Sequence, residues 1–171
     1  MPLVKHGKIA TDDFARVADD AAIPAEGNVL LPLTRFIEDA EALLNRRGKV
    51  GVIVPNSRDL DDLEPYFDRL AVVALVFPSF RDGRAYSQAR LLRERYGYDG
   101  ELRATGQVLR DQFMFMVRAG FDAFEVKKDS DALAFEETIK RYSVFYQPTA
   151  DGRFIALRQR LFRPYGAAAS R

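Results

Sequence analysis

Two arginines flank a glycine in the loop of residues 79–84, which reads Ser-Phe-Arg-Asp-Gly-Arg and follows the apolar run of residues 72–77. Arginine forks and the unpaired N–H groups at the start of a helix both favour an oxyanion, and a glycine leaves room for a ligand beside the backbone. The loop therefore predicts a small-anion site that contains Arg81, Gly83 and Arg84. A structural interpretation stays open, in which Asp82 caps the helix and the arginines are solvated.

A second group of candidate residues follows the next predicted strand, in residues 105–112. Gly106 allows close approach of a ligand to the backbone, and Arg103 and Arg110 on either side are expected to contribute to anion binding. Asp111 is the one candidate catalytic residue, as a general base. An ion pair between Asp111 and a neighbouring arginine is the favoured role, because nothing in the sequence indicates a perturbed pKa.

Several chemistries are excluded by residue types that the sequence lacks. There is no cysteine, which rules out a thiol nucleophile, a disulfide, thiolate zinc and protein-ligated iron–sulfur clusters. The single histidine, His6, lies near the N-terminus, so one chain assembles neither a histidine metal site nor a Ser/His/Asp triad. No metal site is predicted. Neither a G-x-G-x-x-G fingerprint nor a P-loop is present, and the cofactor is left unidentified.

The overall composition fits one globular domain of 171 residues. The 26 basic and 25 acidic residues nearly cancel, so no nucleic-acid partner is expected. No apolar run approaches the ~18 residues of a membrane span, and the N-terminus lacks a signal-peptide pattern, so we expect no membrane association. Together with the absence of cysteine, this predicts a cytoplasmic protein.

Apolar runs alternate with helical stripes along most of the chain. Residues 1–27 read as an acidic, partly irregular segment with a short hairpin around Gly7, residues 28–165 as a single α/β domain, and residues 166–171 as a frayed tail. Thr34 is expected to cap the first helix. Parallel neighbouring strands are predicted at residues 50–54, 72–77, 101–104 and 123–126, a last helix reaches Tyr142, and a C-terminal hairpin turns at Asp151-Gly152.

Two architectures suit this order of elements. One is a mostly parallel sheet of successive βα units that resembles a partial (βα) barrel, with a C-terminal β-hairpin. The alternative is an open, doubly wound, three-layer sandwich. The regular repetition, with no long crossover to mark a switch point, favours the barrel-like order, in which terminal segments must cover the open edges. Either architecture places ligands at the C-terminal ends of the strands.

A longer motif carries a resemblance to a known family. The run DGRAYSQARLLRERYGYDGELRATGQVLRDQ, followed by RAGFDAFEV, resembles a bacterial family catalogued as domain of unknown function 934. The resemblance extends from about residue 28 to the C-terminal hairpin and is sharpest over residues 77–124. Members are commonly encoded beside assimilatory sulfite reductase and adenylylsulfate-reducing enzymes, and carry a label as oxidoreductases of sulfite reduction. The resemblance implies a pathway, sulfur assimilation, without a catalytic residue or a cofactor.

Three functional hypotheses follow. The first is an accessory protein of assimilatory sulfite reduction that binds a small oxyanion or phosphorylated ligand, with sulfite reductase or another sulfur-assimilation enzyme as partner. The second is an oxidoreductase-like enzyme with an unrecognised cofactor such as a flavin, in which Asp111 and an arginine supply acid–base chemistry. The third is a protein–protein interaction module whose acidic N-terminal third docks on a basic partner.

Overall fold

Residues 2–5 and 8–140 are described by a computed structural model. The predicted turn at Gly7, the end of the last helix at Tyr142, the C-terminal hairpin and the tail of residues 166–171 lie outside the described residues.

Within these described ranges, eight strands form one sheet in the order β2-β1-β8-β7-β6-β5-β4-β3. The strands are β1 Leu3–Lys5, β2 Lys8–Ala10, β3 Phe14–Arg16, β4 Asn28–Pro32, β5 Val50–Val54, β6 Val72–Phe77, β7 Glu101–Gly106 and β8 Ala123–Glu125. From β3 to β8, each strand pairs in parallel with the next one along the chain, and the antiparallel β1–β2 hairpin adds to β8. The predicted parallel strands and their order are confirmed.

From β3 to β8 the chain advances across the sheet in one direction, with no reversal of the strand order. A doubly wound sandwich requires such a reversal, so the barrel-like alternative is the one observed, as a mostly parallel half-barrel sheet. In a flat sheet β3 and β7 would lie four strand spacings apart, or about 19 Å, which is beyond the reach of an arginine. Arg16 of β3 nevertheless donates to Thr105 of β7 at 3.2 Å, so the sheet is strongly curled.

The helices lie between the strands along the chain and pack on one side of the sheet. They are α1 Leu33–Glu38, α2 Ala40–Leu44, a 3₁₀ helix Asp61–Arg69, α3 Arg84–Arg90 with a π-helical continuation Leu91–Arg95, a 3₁₀ turn Arg110–Gln112, α4 Phe113–Arg118 and α5 Asp129–Lys140. None of the helices in the described ranges is long and apolar enough to cross a membrane.

The start of the first helix differs from the prediction. Helix α1 begins at Leu33 with Pro32 at its N-cap, and no side chain caps it, so the expected role of Thr34 was wrong. Pro32 is also the last residue of β4, and the chain passes from strand to helix with no intervening loop. Proline suits this junction because it has no N–H to satisfy and its fixed φ is helix-compatible.

The second predicted helix, around Leu63 and Phe67, forms as a 3₁₀ helix. Pro65 lies inside it and lacks the N–H that an α-helical hydrogen bond would use, and its ring would clash with the preceding turn of an α-helix. Leu63 and Phe67 are nevertheless buried, as the apolar spacing predicts.

Alternate residues of each strand face opposite sides of the sheet. On the helix-bearing side, Val52, Leu75 and Phe124 belong to the large apolar core. The other side, which we call the concave face, carries a small apolar cluster along β4–β6 that contains Leu30, Val72 and Ala74. Along β7 and β8 the concave face is polar instead, and this contrast marks the region of chemical interest.

Candidate functional site

Arg103 of β7 is the centre of a buried group of charges on the concave face. Its side chain is 0% exposed. Nε donates to Glu101 Oε1 at 2.8 Å, and Nη1 and Nη2 donate to the two carboxylate oxygens of Asp12 at 2.7 and 3.1 Å. Nη1 also lies 3.4 Å from Glu125 Oε1, and the guanidinium covers the ring of Phe14. The Arg103 guanidinium is therefore fully engaged by the chain itself.

Two further cations complete this group. Lys5 Nζ lies 2.6 Å from Glu101 Oε2. Arg16 Nη2 donates to Glu125 Oε2 at 3.0 Å and to Thr105 Oγ1 at 3.2 Å, and the Thr105 hydroxyl donates to Glu125 Oε2 at 2.5 Å. We call the set the concave ion network, made of Lys5, Asp12, Arg16, Glu101, Arg103, Thr105 and Glu125.

The network contains as many cations as carboxylates, and the pKa values of Asp12 and Arg103 both shift in the direction that favours the charged form. Partial burial alone would raise the pKa of Asp12, but the hydrogen bond and charge of Arg103 outweigh it and lower that pKa below its ordinary value. Burial alone would lower the pKa of Arg103, yet Asp12 and Glu101 raise it. Such a network is stable only while every partner is present.

The sequence predicts that Arg103 contributes to anion binding, and in the structure its guanidinium already binds carboxylates of the chain itself. The alternation of β7 places Arg103 between Glu101 and Thr105 on the concave face. Its register partner in β8 is Ala123, and its Nη1 reaches Glu125 two residues further along that strand. An external anion would have to displace one of the chain's own carboxylates from Arg103. The positive charge of Arg103 is thus neutralised by carboxylates within the fold.

Arg81, Gly83 and Arg84 lie at the start of α3. Arg84 donates through Nε and Nη2 to the two oxygens of Asp82 at 3.0 and 2.7 Å, while its side chain is 60% exposed. This hydrogen bond lowers the pKa of Asp82 well below its ordinary value. Asp82 also accepts the Arg84 backbone N–H at 3.3 Å, although the N-cap residue of α3 is Gly83 and no side chain caps the helix. The exposed Arg81 guanidinium lies over the ring of Phe80 at 5.5 Å.

The two predicted site loops contact each other through the backbone of Phe80. Its N–H donates to Gln107 Oε1 at 3.3 Å, and its carbonyl accepts from Gln112 Nε2 at 3.2 Å. Gly106 has a φ of 91°, and a Cβ there would lie 2.4 Å from the Phe77 carbonyl oxygen, so only glycine fits. Phe77 itself is buried, as predicted. The fold therefore brings residues 79–84 and 105–112 together at the C-terminal edge of β6 and β7.

Arg110 and Asp111 lie on the helix-bearing side of this edge. Arg110 is 57% exposed, and its Nε lies 3.7 Å from Asp131 Oδ1. Asp111 lines an open cavity of about 580 Å³ with Tyr86, Phe115 and other residues of α3 and α4. Burial, with a smaller contribution from the Asp111 charge, raises the pKa of Tyr86 to about 12. Asp111 thus borders the same cavity as Tyr86.

A second cavity, of about 550 Å³, opens on the concave face at the C-terminal ends of β4–β7. We call it the mouth cleft, and it is lined by Arg16, Val17, Ala18, Asp19, Pro32, Ile53, Val76, Thr105 and Gly106. This is the end of the strands where (βα) architectures bind ligands. Among the described residues, no group of histidine, aspartate and glutamate side chains is arranged to hold a metal ion.

Most residues of this concave site were not among the candidates predicted from the sequence. Asp12, Arg16 and Asp19 lie in the N-terminal segment, and Arg16 meets Glu125 across a separation of 109 positions. The detectable signal was local: in β7 the polar residues Glu101, Arg103 and Thr105 alternate with the buried Leu102 and Ala104. Such alternation indicates a strand with one polar face, although that face is buried here.

A family model described as "Bacterial protein of unknown function (DUF934)" matches residues 51–155, more than half of the chain. The chain belongs to the DUF934 family. The match contains both loops of the predicted anion site and the network residues of β7 and β8, whereas Lys5, Asp12 and Arg16 precede it. No curated protein matches the chain.

Proposed function

We propose that this DUF934 protein is an accessory protein of assimilatory sulfite reduction that binds a small oxyanion or phosphorylated ligand. The pathway comes from the family resemblance of the motif in residues 82–124, and the binding role comes from the loops after β6 and β7. The observation that carries it is the pair of hydrogen bonds that Phe80 makes, as donor to Gln107 and as acceptor from Gln112, since they hold both loops at one edge of the sheet.

The electrostatics of these loops support weak, reversible binding. Arg81 is exposed, and Arg84 shares its charge with Asp82 in a contact that faces solvent. Exposed ion pairs contribute little free energy, so an incoming anion can displace the Asp82 carboxylate from Arg84 at low cost. Exposure also limits what the anion gains, which points to affinities on the order of millimolar. Binding of this strength suits delivery or sensing of a ligand better than catalysis.

Exposed aromatic side chains in and beside these loops support the proposal that the protein binds a partner protein. Phe80 is 53% exposed and Phe115 is 66% exposed, and Phe115 lines the cavity that Gln112 also lines. Large exposed aromatic residues are enriched at protein interfaces. The partner in this proposal is sulfite reductase or another sulfur-assimilation enzyme. A cytoplasmic location is part of the proposal, and the absence of cysteine supports a reducing compartment.

Calorimetric titration of the full chain with sulfite, sulfate and phosphate at low salt tests the binding role. We expect millimolar binding that Arg84→Ala weakens several-fold with little change in thermal stability. Arg90→Ala is the matched control, because Arg90 lies on α3 in an exposed pair with Glu94. Undetectable binding by the unchanged protein at millimolar anion rules the role out. An Arg84→Ala protein that unfolds supports a purely structural role for the Arg84–Asp82 contact.

The same preparation tests the alternatives. A flavin absorbance band in the purified protein would favour the oxidoreductase-like enzyme over an accessory role. Co-sedimentation with purified sulfite reductase, lost in Phe115→Ser, would support the partner surface.

A further inference from the structure

We propose that the mouth cleft binds a small zwitterion with an apolar body, of the chemical class of apolar α-amino acids. The cleft is distinct from the loops of the proposed function, because Gly106 is the one residue of the predicted anion site that lines it. Nothing in the proposed function requires this second ligand, so the two proposals stand or fall separately.

The floor of the cleft is apolar. Pro32, Ile53 and Val76 occupy concave-face positions near the C-terminal ends of β4, β5 and β6, and Val17 forms a buried part of the wall. At about 550 Å³ the open cleft is large enough for a metabolite of several carbon atoms. Aliphatic side chains on rigid strands favour a ligand with an apolar body, and they offer an inorganic anion no hydrogen-bond donor.

Arg16 supplies the recognition of a carboxylate. Its hydrogen bonds to Glu125 and Thr105 all use Nη2 and hold the guanidinium at the cleft. Among the described residues, none accepts a hydrogen bond from Nη1 or Nε of this 48% exposed side chain, and we assign these N–H groups to the ligand. A guanidinium anchored in this way is pre-organised, because a ligand need not pay for ordering the side chain.

Asp19 supplies the recognition of an ammonium group and excludes simple anions. It lines the same wall as Arg16, and two hydrogen bonds fix that wall: Val17 N–H donates to the Leu30 carbonyl at 3.0 Å, and Arg35 Nη1 donates to the Ala18 carbonyl at 2.6 Å. A sulfate dianion at Arg16 would face the charges of Asp19 and Glu125. A ligand with both a carboxylate and an ammonium group satisfies Arg16 and Asp19 together.

Three probes of matched shape separate the parts of this recognition: leucine, 4-methylpentanoate, which lacks the ammonium group, and 3-methylbutylamine, which lacks the carboxylate. Methyl NMR of the full chain, read at Ile53 and Val76, reports the site directly. We expect leucine to shift both methyl signals in a saturable way, and each truncated probe to bind at least about ten-fold more weakly, which is about 1.4 kcal/mol.

Two variants then test the assigned contacts. Asp19→Asn should weaken leucine binding about ten-fold without weakening 4-methylpentanoate. Its control is Asp20→Asn, since Asp20 is exposed and does not line the cleft. Ile53→Trp should fill the cleft and abolish binding, and a folded methyl spectrum verifies that variant.

The proposal is overturned if leucine at tens of millimolar leaves the Ile53 and Val76 signals unchanged. It is also overturned if leucine and 4-methylpentanoate bind equally, or if Asp20→Asn has the effect expected of Asp19→Asn. Sulfate titrations followed at residues 79–84 report on the proposed function independently.

Discussion

At the scale of single residues, the structure separates arginines that hold the fold from arginines that face solvent. Arg103 is buried among carboxylates, whereas Arg84 shares an exposed contact with Asp82. Removal of one partner from a buried ion group leaves an uncompensated charge, which is strongly destabilising. Exposed pairs contribute little. Loss-of-function variants at exposed arginines are therefore interpretable as binding effects, and variants at Arg103 are not.

Asp12→Asn should reduce the free energy of unfolding by about 1 kcal/mol at neutral pH, a value that allows for a side chain that is one-third exposed. The pKa of Asp12 is lowered in the folded protein, so its contribution is complete above the ordinary carboxyl pKa of 3.8. It is lost as the pH falls below 3.8 through the lowered folded-state pKa. Urea unfolding of both proteins across this pH range should show the difference shrinking in acid.

Asp13→Asn is the control for this experiment, because Asp13 is adjacent and exposed. A stability difference between Asp12→Asn and the unchanged protein that is constant at every pH would contradict a contribution from the ionised carboxylate. If Asp13→Asn reduced the free energy of unfolding by the same amount, the loss would come from a change in the local backbone around residues 12 and 13 and not from the contact of Asp12 with Arg103.

At the scale of elements, the strands were more predictable than the helices. Strands β5 and β6 are short apolar runs that a parallel sheet buries on both faces, so composition alone identifies them. Helix boundaries depend on junction chemistry. Pro32 ends a strand and begins a helix at once, and Pro65 converts an α-helical apolar stripe into a 3₁₀ helix.

The candidate site was only partly predictable, for a different reason. The loops after β6 and β7 follow from strand order, since adjacent parallel strands end at the same edge. The concave ion network does not, because Asp12 and Arg103 are 91 positions apart and meet only when the sheet curls. Local patterns carry no information about which carboxylate neutralises a buried arginine.

Gly106→Ala should destabilise the protein by about 1–3 kcal/mol, because φ is 91° at this residue and the new Cβ would meet the Phe77 carbonyl. For a chain of this size the melting temperature should fall by about 2–4 °C per kcal/mol. Gly83→Ala is the matched control: its φ is −87°, and the Tyr86 ring at 3.8 Å is the one neighbour within 4 Å of an added Cβ. Equal melting temperatures for both variants would show that the backbone at the end of β7 shifts without cost to remove the contact between the new Cβ and the Phe77 carbonyl.

At the scale of the whole molecule, the curvature of the sheet and the concave ion network depend on each other. Strand β3 has three residues and pairs with β4 alone among the described strands, yet Asp12 and Arg16 connect its region to β7 and β8. These contacts join the two ends of the parallel part of the described sheet, and Arg16 forms part of the wall of the mouth cleft. The N-terminal segment is thus part of the architecture that shapes the concave site, although the family match begins later, at residue 51.

Amide hydrogen exchange should distinguish the central strands of the sheet from the region around β3. We expect the slowest exchange at the amides of the central strands, such as Val52 and Val73, because these strands are paired on both sides and buried. Exchange should be faster at Val17, whose N–H donates to Leu30 beside β3, the last strand of the described sheet on that side. Asp12→Asn should speed exchange at Val17 several-fold and leave Val52 and Val73 unchanged, because it releases the β3 wall without opening the central sheet. An equal acceleration at all three amides would instead mean that the ion network stabilises the fold as one cooperative unit.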